Sequence, residues 1–247
     1  MKAYIFNDET FVRNYGENGV ACVELLPGTL EGFKAYKYSL KAGGEVSPQR
    51  YSDKAVVFIF RTGKGYIAGT DGGFGIDRLC FYAPDFDKSE YVIHAVEDMD
   101  FVMCVADMNE YDFKRAGECR VHTPFFRTVD QCYNYDQSCK TPGTWSKSVL
   151  FGDCGRLGKI TIGIVRGTDS GGTIEKGHPE VHQWDFVVGD SELELNVDGE
   201  KHLQKAGDWH FIPAGYDHSL CALNGKEAYY VWVELYTSEH GVKKEIQ

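Results

Sequence analysis

Residues Gly172–Asn224 read GTIEKGHPEVHQWDFVVGDSELELNVDGEKHLQKAGDWHFIPAGYDHSLCALN, and they hold five of the chain's eight histidines: His178, His182, His202, His210 and His218. The downstream end, Gly207 to His218, has the form G-x5-P-x-G-x2-H. Between HPEVHQWD and that end, SELELNV alternates apolar and polar residues with the period of a strand. Asp198-Gly199 is a dipeptide that closes a two-residue hairpin. Short strands separated by turn residues, with imidazoles at the turns, predict half of a metal-binding β-barrel.

The same order of events runs once before. FKAYKYSL (33–40) alternates as a strand, AGGE turns, and AVVFIF (55–60) is a β-rich run. In the second half ITIGIV (160–165) takes the place of YKYSL, and WDFVV that of AVVFIF. FIPA (211–214) takes the place of FYAP (81–84), and YYVWVELY (229–236) that of DFVMCVAD. Long helical periodicity is missing throughout, so the expected fold is all-β: two barrels of like topology in tandem. The predicted boundaries are an N-terminal barrel over 1–106, an aromatic-rich connector over 107–148 that packs rather than floats, and a C-terminal barrel over 149–247.

Composition narrows the function. At 247 residues, with 43% hydrophobic and 14% aromatic residues, the chain is long and apolar enough for two cores. A net charge of −11 excludes the clustered basic field that nucleic acid or an anionic membrane requires. The first residues, MKAYIFNDETFVRNYG, lack the apolar run of a signal peptide, and no later segment has the apolar length of a membrane span. The expectation is a soluble, cytoplasmic protein with a small-molecule substrate. Eight cysteines without a C-x-x-C pair predict reduced thiols rather than a zinc knuckle. Exposed edge strands leave room for a homodimer.

A divalent transition metal needs three or four N/O donors converging at about 2.0–2.2 Å. On one straight strand His178 and His182 would lie about 13 Å apart at 3.3 Å per residue, so the chain must bend between them, and Gly177 and Pro179 permit that turn. His218, after Pro213 and Gly215, brings a third imidazole from a neighbouring strand. His178, His182 and His218 are therefore the predicted metal ligands. His94, His122, His202, His210 and His240 read as surface or satisfied polar residues.

With those residues in place, the stretch resembles the cupin superfamily. Its second motif, G-x5-P-x-G-x2-H-x3-N, is matched from Gly207 through Pro213, Gly215 and His218, with Asn224 two places late. The first motif, G-x5-H-x-H-x3/4-E-x6-G, admits two registers. Counting from Gly172 makes His178 the first ligand, Glu180 the second and Asp185 the acid. Counting back from Gly189 makes His178 the second ligand and puts His182 in the acidic position, with Lys176 in place of the first histidine. The second register is similar to the metal motif of ureidoglycine aminohydrolase-type bicupins. That resemblance implies a tandem double-stranded β-helix (jelly-roll) fold, a bicupin, and hydrolysis or deamination of a ureido acid.

The resulting expectation is one divalent metal (Mn, Fe, Ni or Zn) on His178, His182 and His218, with no other cofactor. Glu180, Glu175 or Asp185 supplies a fourth donor, and Glu180 and Asp185 are the candidate proton carriers. Tyr216, Trp184 and Trp209 are candidates to line the pocket or fill the core. In the N-terminal half Ser89 stands where His218 stands in the second, which predicts a barrel without a metal. Gln49, Arg50 and Asp53 are its polar residues of interest. Isomerase, lyase and dioxygenase chemistry and a non-catalytic binding role stay open, because the fold does not fix the function.

Overall fold

The computed structural model of the chain describes residues 3–70, 72–118, 121–151 and 155–237. His240, Cys119 and Cys154 lie outside the described residues. The described chain is built almost wholly of antiparallel strands, and it divides into two compact units.

The first unit runs from Phe11 to Phe113 and takes in the segment that ends at Cys132. Its larger sheet has the order Phe125–Thr128, Cys80–Ala83, Lys54–Thr62, Met99–Asp107, Phe33–Leu40, Val20–Leu25. The smaller sheet has the order Glu45–Val46, Tyr91–Ala95, Gly65–Gly69, Gly72–Ile76. β-Branched and aromatic residues on the inward positions explain both the strands and their burial. Phe58, Phe60, Phe101, Tyr82 and Tyr91 fill the interior, with ring centroids 5.0–6.1 Å apart. Arg50 pairs with Glu90, and Gln49 accepts from the Tyr51 hydroxyl.

The second unit runs from Tyr133 onward and takes in the residues up to Thr10. Its larger sheet has the order Tyr4–Phe6, Trp209–Ile212, Val181–Val187, Glu227–Tyr236, Ile160–Thr168, Thr144–Leu150, Tyr133–Tyr135. The smaller sheet has the order Gly172–Glu175, His218–Ala222, Glu192–Val197, Glu200–Lys205. The four central strands of each larger sheet therefore follow one order, as the repeated sequence predicts. Asp198 and Gly199 both have positive φ, 48° and 87°, which is the geometry a two-residue hairpin turn requires. Val187, Leu193, Leu195, Val197, Ile212, Leu220 and Tyr230 form the apolar part of this interior.

Two features differ from the expected boundaries. The stretch 107–148 is not one connector: Phe125–Thr128 extends a sheet of the first unit, whereas Tyr133–Tyr135 and Thr144–Leu150 belong to the second. Residues Tyr4–Phe6 pair with Trp209–Ile212, far along the chain. A helix, Glu110–Glu118, also forms, and Asn109 and Asp112 cap it reciprocally through side-chain bonds of 2.9 and 3.0 Å. Cys22, Cys80, Cys104, Cys139 and Cys221 are free thiols.

One charge cluster stabilises the first unit. Asp100 accepts from Arg61 at 2.9 Å and from Arg13 at 3.4 Å. Burial alone would raise the Asp100 carboxyl, but the Ser39 hydrogen bond and the Arg61 and Lys37 charges hold it below its usual value. A depressed carboxyl contributes stability above its unfolded pKa, about 3.9, and loses it as the pH falls through the folded value. Asp100→Asn should therefore lower the melting temperature at pH 7, by the several degrees that ~1–3 kcal/mol produces. The gap should narrow toward pH 3, and calorimetry at the two pH values checks both statements.

Candidate metal centre

Three donors meet at one end of the second unit's smaller sheet. Glu175 ends the strand Gly172–Glu175 and His218 begins His218–Ala222; their Cα atoms are register partners, so both side chains lie on one face. His178 comes from the turn between Glu175 and Val181. It is brought in by a close backbone approach: a Cβ on Gly177 would lie 2.1 Å from the Gly215 carbonyl oxygen. The Gly215 N–H donates to the His178 carbonyl at 3.1 Å. Asp217 fastens the same turn, accepting from the Gly177 N–H at 2.8 Å and from Lys176 Nζ at 2.9 Å. The Gly177 N–H bond and the Lys176 charge hold its carboxyl below the usual range.

The donor atoms of Glu175, His178 and His218 all lie within 4.8 Å of one another. Two ligands on one ion with bonds of about 2.1 Å stand at most ~4.2 Å apart, so a small inward movement suffices. His218 Nδ1 faces the Tyr216 carbonyl at 3.0 Å. A carbonyl only accepts, so Nδ1 carries the hydrogen and Nε2 presents its lone pair. That Nε2 is buried, has no hydrogen-bond partner, and stands 4.0 Å from a Glu175 oxygen. His178 differs in that an oxygen faces each ring nitrogen, the Val181 carbonyl at 3.4 Å from Nδ1 and Gln183 Oε1 at 3.2 Å from Nε2, so either nitrogen can carry the hydrogen. Two imidazoles and a carboxylate form a donor set that fits a divalent transition metal.

Of the sequence-predicted ligands, the structure brings together His178 and His218 but not His182. Val181–Val187 begins just after the Pro179-Glu180 turn. Its odd-numbered residues Gln183, Asp185 and Val187 share one face, while His182 lies with Trp184 on the other. There the His182 ring lies 5.7 Å from Phe211, its Nδ1 accepts from the Ala214 N–H at 3.2 Å, and burial lowers its pKa. The carboxylate that stands beside the two imidazoles is that of Glu175 rather than Glu180, which is exposed and uses its carbonyl to accept from Thr237. Asp185 is fully buried, and both its oxygens are taken by Gln183 and His210 at 2.8–3.2 Å. Lys176, at the first-histidine position of one register, holds Asp217 instead. Trp184 and Trp209 fill the core against Phe211 and Phe186, and Tyr216 packs on the barrel interior.

Sequence reasoning missed Glu234. It lies on Glu227–Tyr236 with its Cα opposite Gln183 on one side and Thr161 on the other, and it accepts from the Thr161 hydroxyl at 3.3 Å. Burial pushes its carboxyl up to about 7; His178 opposes the rise and Glu175 adds to it. The one available signal was alternation in YYVWVELY, which puts Glu234 in phase with the inward Tyr230 and Trp232.

The sequence matches no family model and no curated protein. Solved structures do resemble the fold. A cupin 2 conserved barrel domain protein from Leptotrichia buccalis is 14% identical, with a TM-score of 0.62 over 95% of this chain and 96% of that one. The formate complex of Lactobacillus farciminis oxalate decarboxylase is 12% identical, with a TM-score of 0.69 over 94% and 85%. Vicilin from Corylus avellana (hazelnut) is 13% identical, with a TM-score of 0.68 over 94% and 85%. The chain thus has the bicupin fold, two jelly-roll barrels in tandem, and a His/Glu group able to hold a metal in the second.

The geometry separates the histidines experimentally. After equilibration with Mn(II), Ni(II) or Zn(II) and removal of free ion, elemental analysis should find one ion per chain in the wild type and in His182→Ala. Glu175→Ala and His218→Ala should retain little. Gly177→Ala, whose Cβ would push the two turns apart, should bind at least about tenfold more weakly.

Proposed function

We propose that this chain is a metal-dependent enzyme whose second barrel acts on a small, polar, carboxylate-bearing metabolite. The observation that carries the reading is the bare, buried Nε2 of His218 beside His178 and Glu175. A buried polar atom without a partner destabilises a fold by about 1–3 kcal/mol, so a site built around one answers to a ligand. A divalent ion held by Glu175, His178 and His218 would polarise a substrate oxygen or acidify a bound water. One carboxylate and two neutral imidazoles leave such a centre with net positive charge, which favours an anionic substrate group.

The chain's own residues supply the rest. Glu175 and the two imidazoles fix the point at which a substrate oxygen is held. Glu234, with its carboxyl poised near neutrality, is the group able to give or take a proton there, which neither Glu180 nor Asp185 is placed to do. Thr161 donates to one Glu234 oxygen and so sets the direction in which the other points. Hydrolysis or deamination of a ureido acid is the reaction favoured by the motif resemblance.

The likeness to vicilin supports a second reading, a binding or storage protein on the same fold. A screen of ureido, keto and sugar acids against metal-loaded protein, scoring ammonia release and oxygen uptake together, separates the two. Turnover of one class is expected, and Glu234→Gln should lower it by about 10²-fold while the metal content stays at wild-type level. Stoichiometric metal with no turnover of any acid would support the binding reading.

A further inference from the structure

Four buried side chains form a hydrogen-bonded chain that ends on the candidate metal centre. Gln183, Asp185, His210 and Gln204 are each no more than 2% exposed. Gln204 Nε2 donates to the Leu203 carbonyl at 2.9 Å, which turns its Oε1 toward His210 Nδ1, 3.3 Å away. His210 Nε2 lies 2.8 Å from Asp185 Oδ2. A carboxylate only accepts, so the 2.8 Å contact puts a hydrogen on His210 Nε2, which donates to Asp185. Asp185 then accepts from Gln183 Nε2 through both oxygens, at 3.0 and 3.2 Å. Turning the Gln183 amide over would set its oxygen against the carboxylate. Its Oε1 is therefore held pointing the other way, at His178 Nε2.

We propose that Asp185, itself held by His210 and Gln204, locks the Gln183 amide so that Oε1 is presented as a neutral fourth donor beside Glu175, His178 and His218. Asp185 and His210 are positioning residues, and the proposal rests on the metal reading above. The lock makes chemical sense of a contact that is otherwise unfavourable. The His178 ring faces an oxygen acceptor at each nitrogen, the Val181 carbonyl at 3.4 Å and Gln183 Oε1 at 3.2 Å, so a neutral imidazole can satisfy only one of them; with the hydrogen on Nδ1, Nε2 and Gln183 Oε1 are two acceptors that a cation would satisfy together. Because the donor is an amide and not a carboxylate, the site gains a ligand without a second negative charge, and the net positive charge that favours an anionic substrate is kept.

A glutamate at 183 has two equivalent oxygens and needs no such lock, which supplies the test. Co(II) and Zn(II) affinities are measured by competition with a chromophoric chelator for the wild type, Asp185→Asn, Gln183→Glu and the double variant, with the Co(II) visible spectrum recorded for each. Asp185→Asn should weaken binding by about tenfold or more in the Gln183 background and by less than about threefold in the Gln183→Glu background. Gln183→Glu should bind with an altered Co(II) spectrum. Equal losses in both backgrounds would mean that Asp185 acts through general packing, and the proposal falls. If Asp185→Asn does not fold, Gln183→Leu decides: wild-type affinity and an unchanged spectrum overturn the proposal, whereas a loss of about tenfold with a shifted spectrum supports it. A wild-type protein that takes up no ion overturns the metal reading itself, a result distinct from either.

Discussion

Everything at the metal centre depends on how closely Gly177 approaches Gly215. Only a residue without a Cβ allows the two backbones to meet, and the meeting places the turn that carries His178 against the turn that precedes His218. Asp217 and Lys176 hold the contact from outside, and the antiparallel pairing of Glu175 with His218 holds it from the sheet. Three side chains from a strand end, a turn and a strand start converge because backbone geometry has fixed all three origins. None of the three needs an unusual conformation of its own.

The two barrels show what the same strand order does with different inward residues. In the first, Phe58, Phe60, Phe101, Tyr82 and Tyr91 pack ring on ring, and the interior is satisfied by dispersion and burial. In the second, the corresponding space is split. Leucine, valine and isoleucine fill one end, while Gln183, Asp185, His210, Glu234, Thr161 and His218 fill the other. Five of these side chains are buried and Glu234 is half-buried, which is unfavourable unless their hydrogen-bonding groups are matched, and most of them are. Asp185 is balanced by His210, Gln183 by Asp185, and Glu234 in part by Thr161. Among these six the one nitrogen left without a partner is His218 Nε2, and it stands beside His178 and Glu175.

Much of this was legible from local pattern. The alternation of SELELNV, the Asp198-Gly199 turn and the repeated order of strands are period-2 and turn signals, and they are set by neighbours in sequence. GDWHFIPAGYDH located His218 for the same reason. His182 was misplaced because the phase of a strand depends on where its preceding turn ends. With Pro179-Glu180 forming that turn, residue 183 and not 182 faces inward, and a one-residue change of phase reverses every assignment along the strand. Glu234 and Tyr4–Phe6 acquire their roles only through pairing with residues distant in the chain. Gln183 escaped for a chemical reason: a search for titratable ligands passes over a neutral amide, and the amide becomes a defined donor only once Asp185 has fixed which end points where.

The pattern of satisfied and unsatisfied groups also bears on why the second barrel is built this way. The strand order of this barrel accommodates an interior filled by apolar and aromatic side chains, as in the first unit, so the polar end of the second is not required by the topology. It carries a buried carboxylate, Asp185, whose desolvation is unfavourable without its hydrogen bonds, and an unpartnered imidazole nitrogen, which lowers stability. Local choices that weaken a fold without a structural return mark the places where a sequence answers to something other than folding. Here His218, His178 and Glu175 face a single point. The side chains that stabilise this region, Asp217, His210 and Gln204, do so by fixing the direction of the ones that do not.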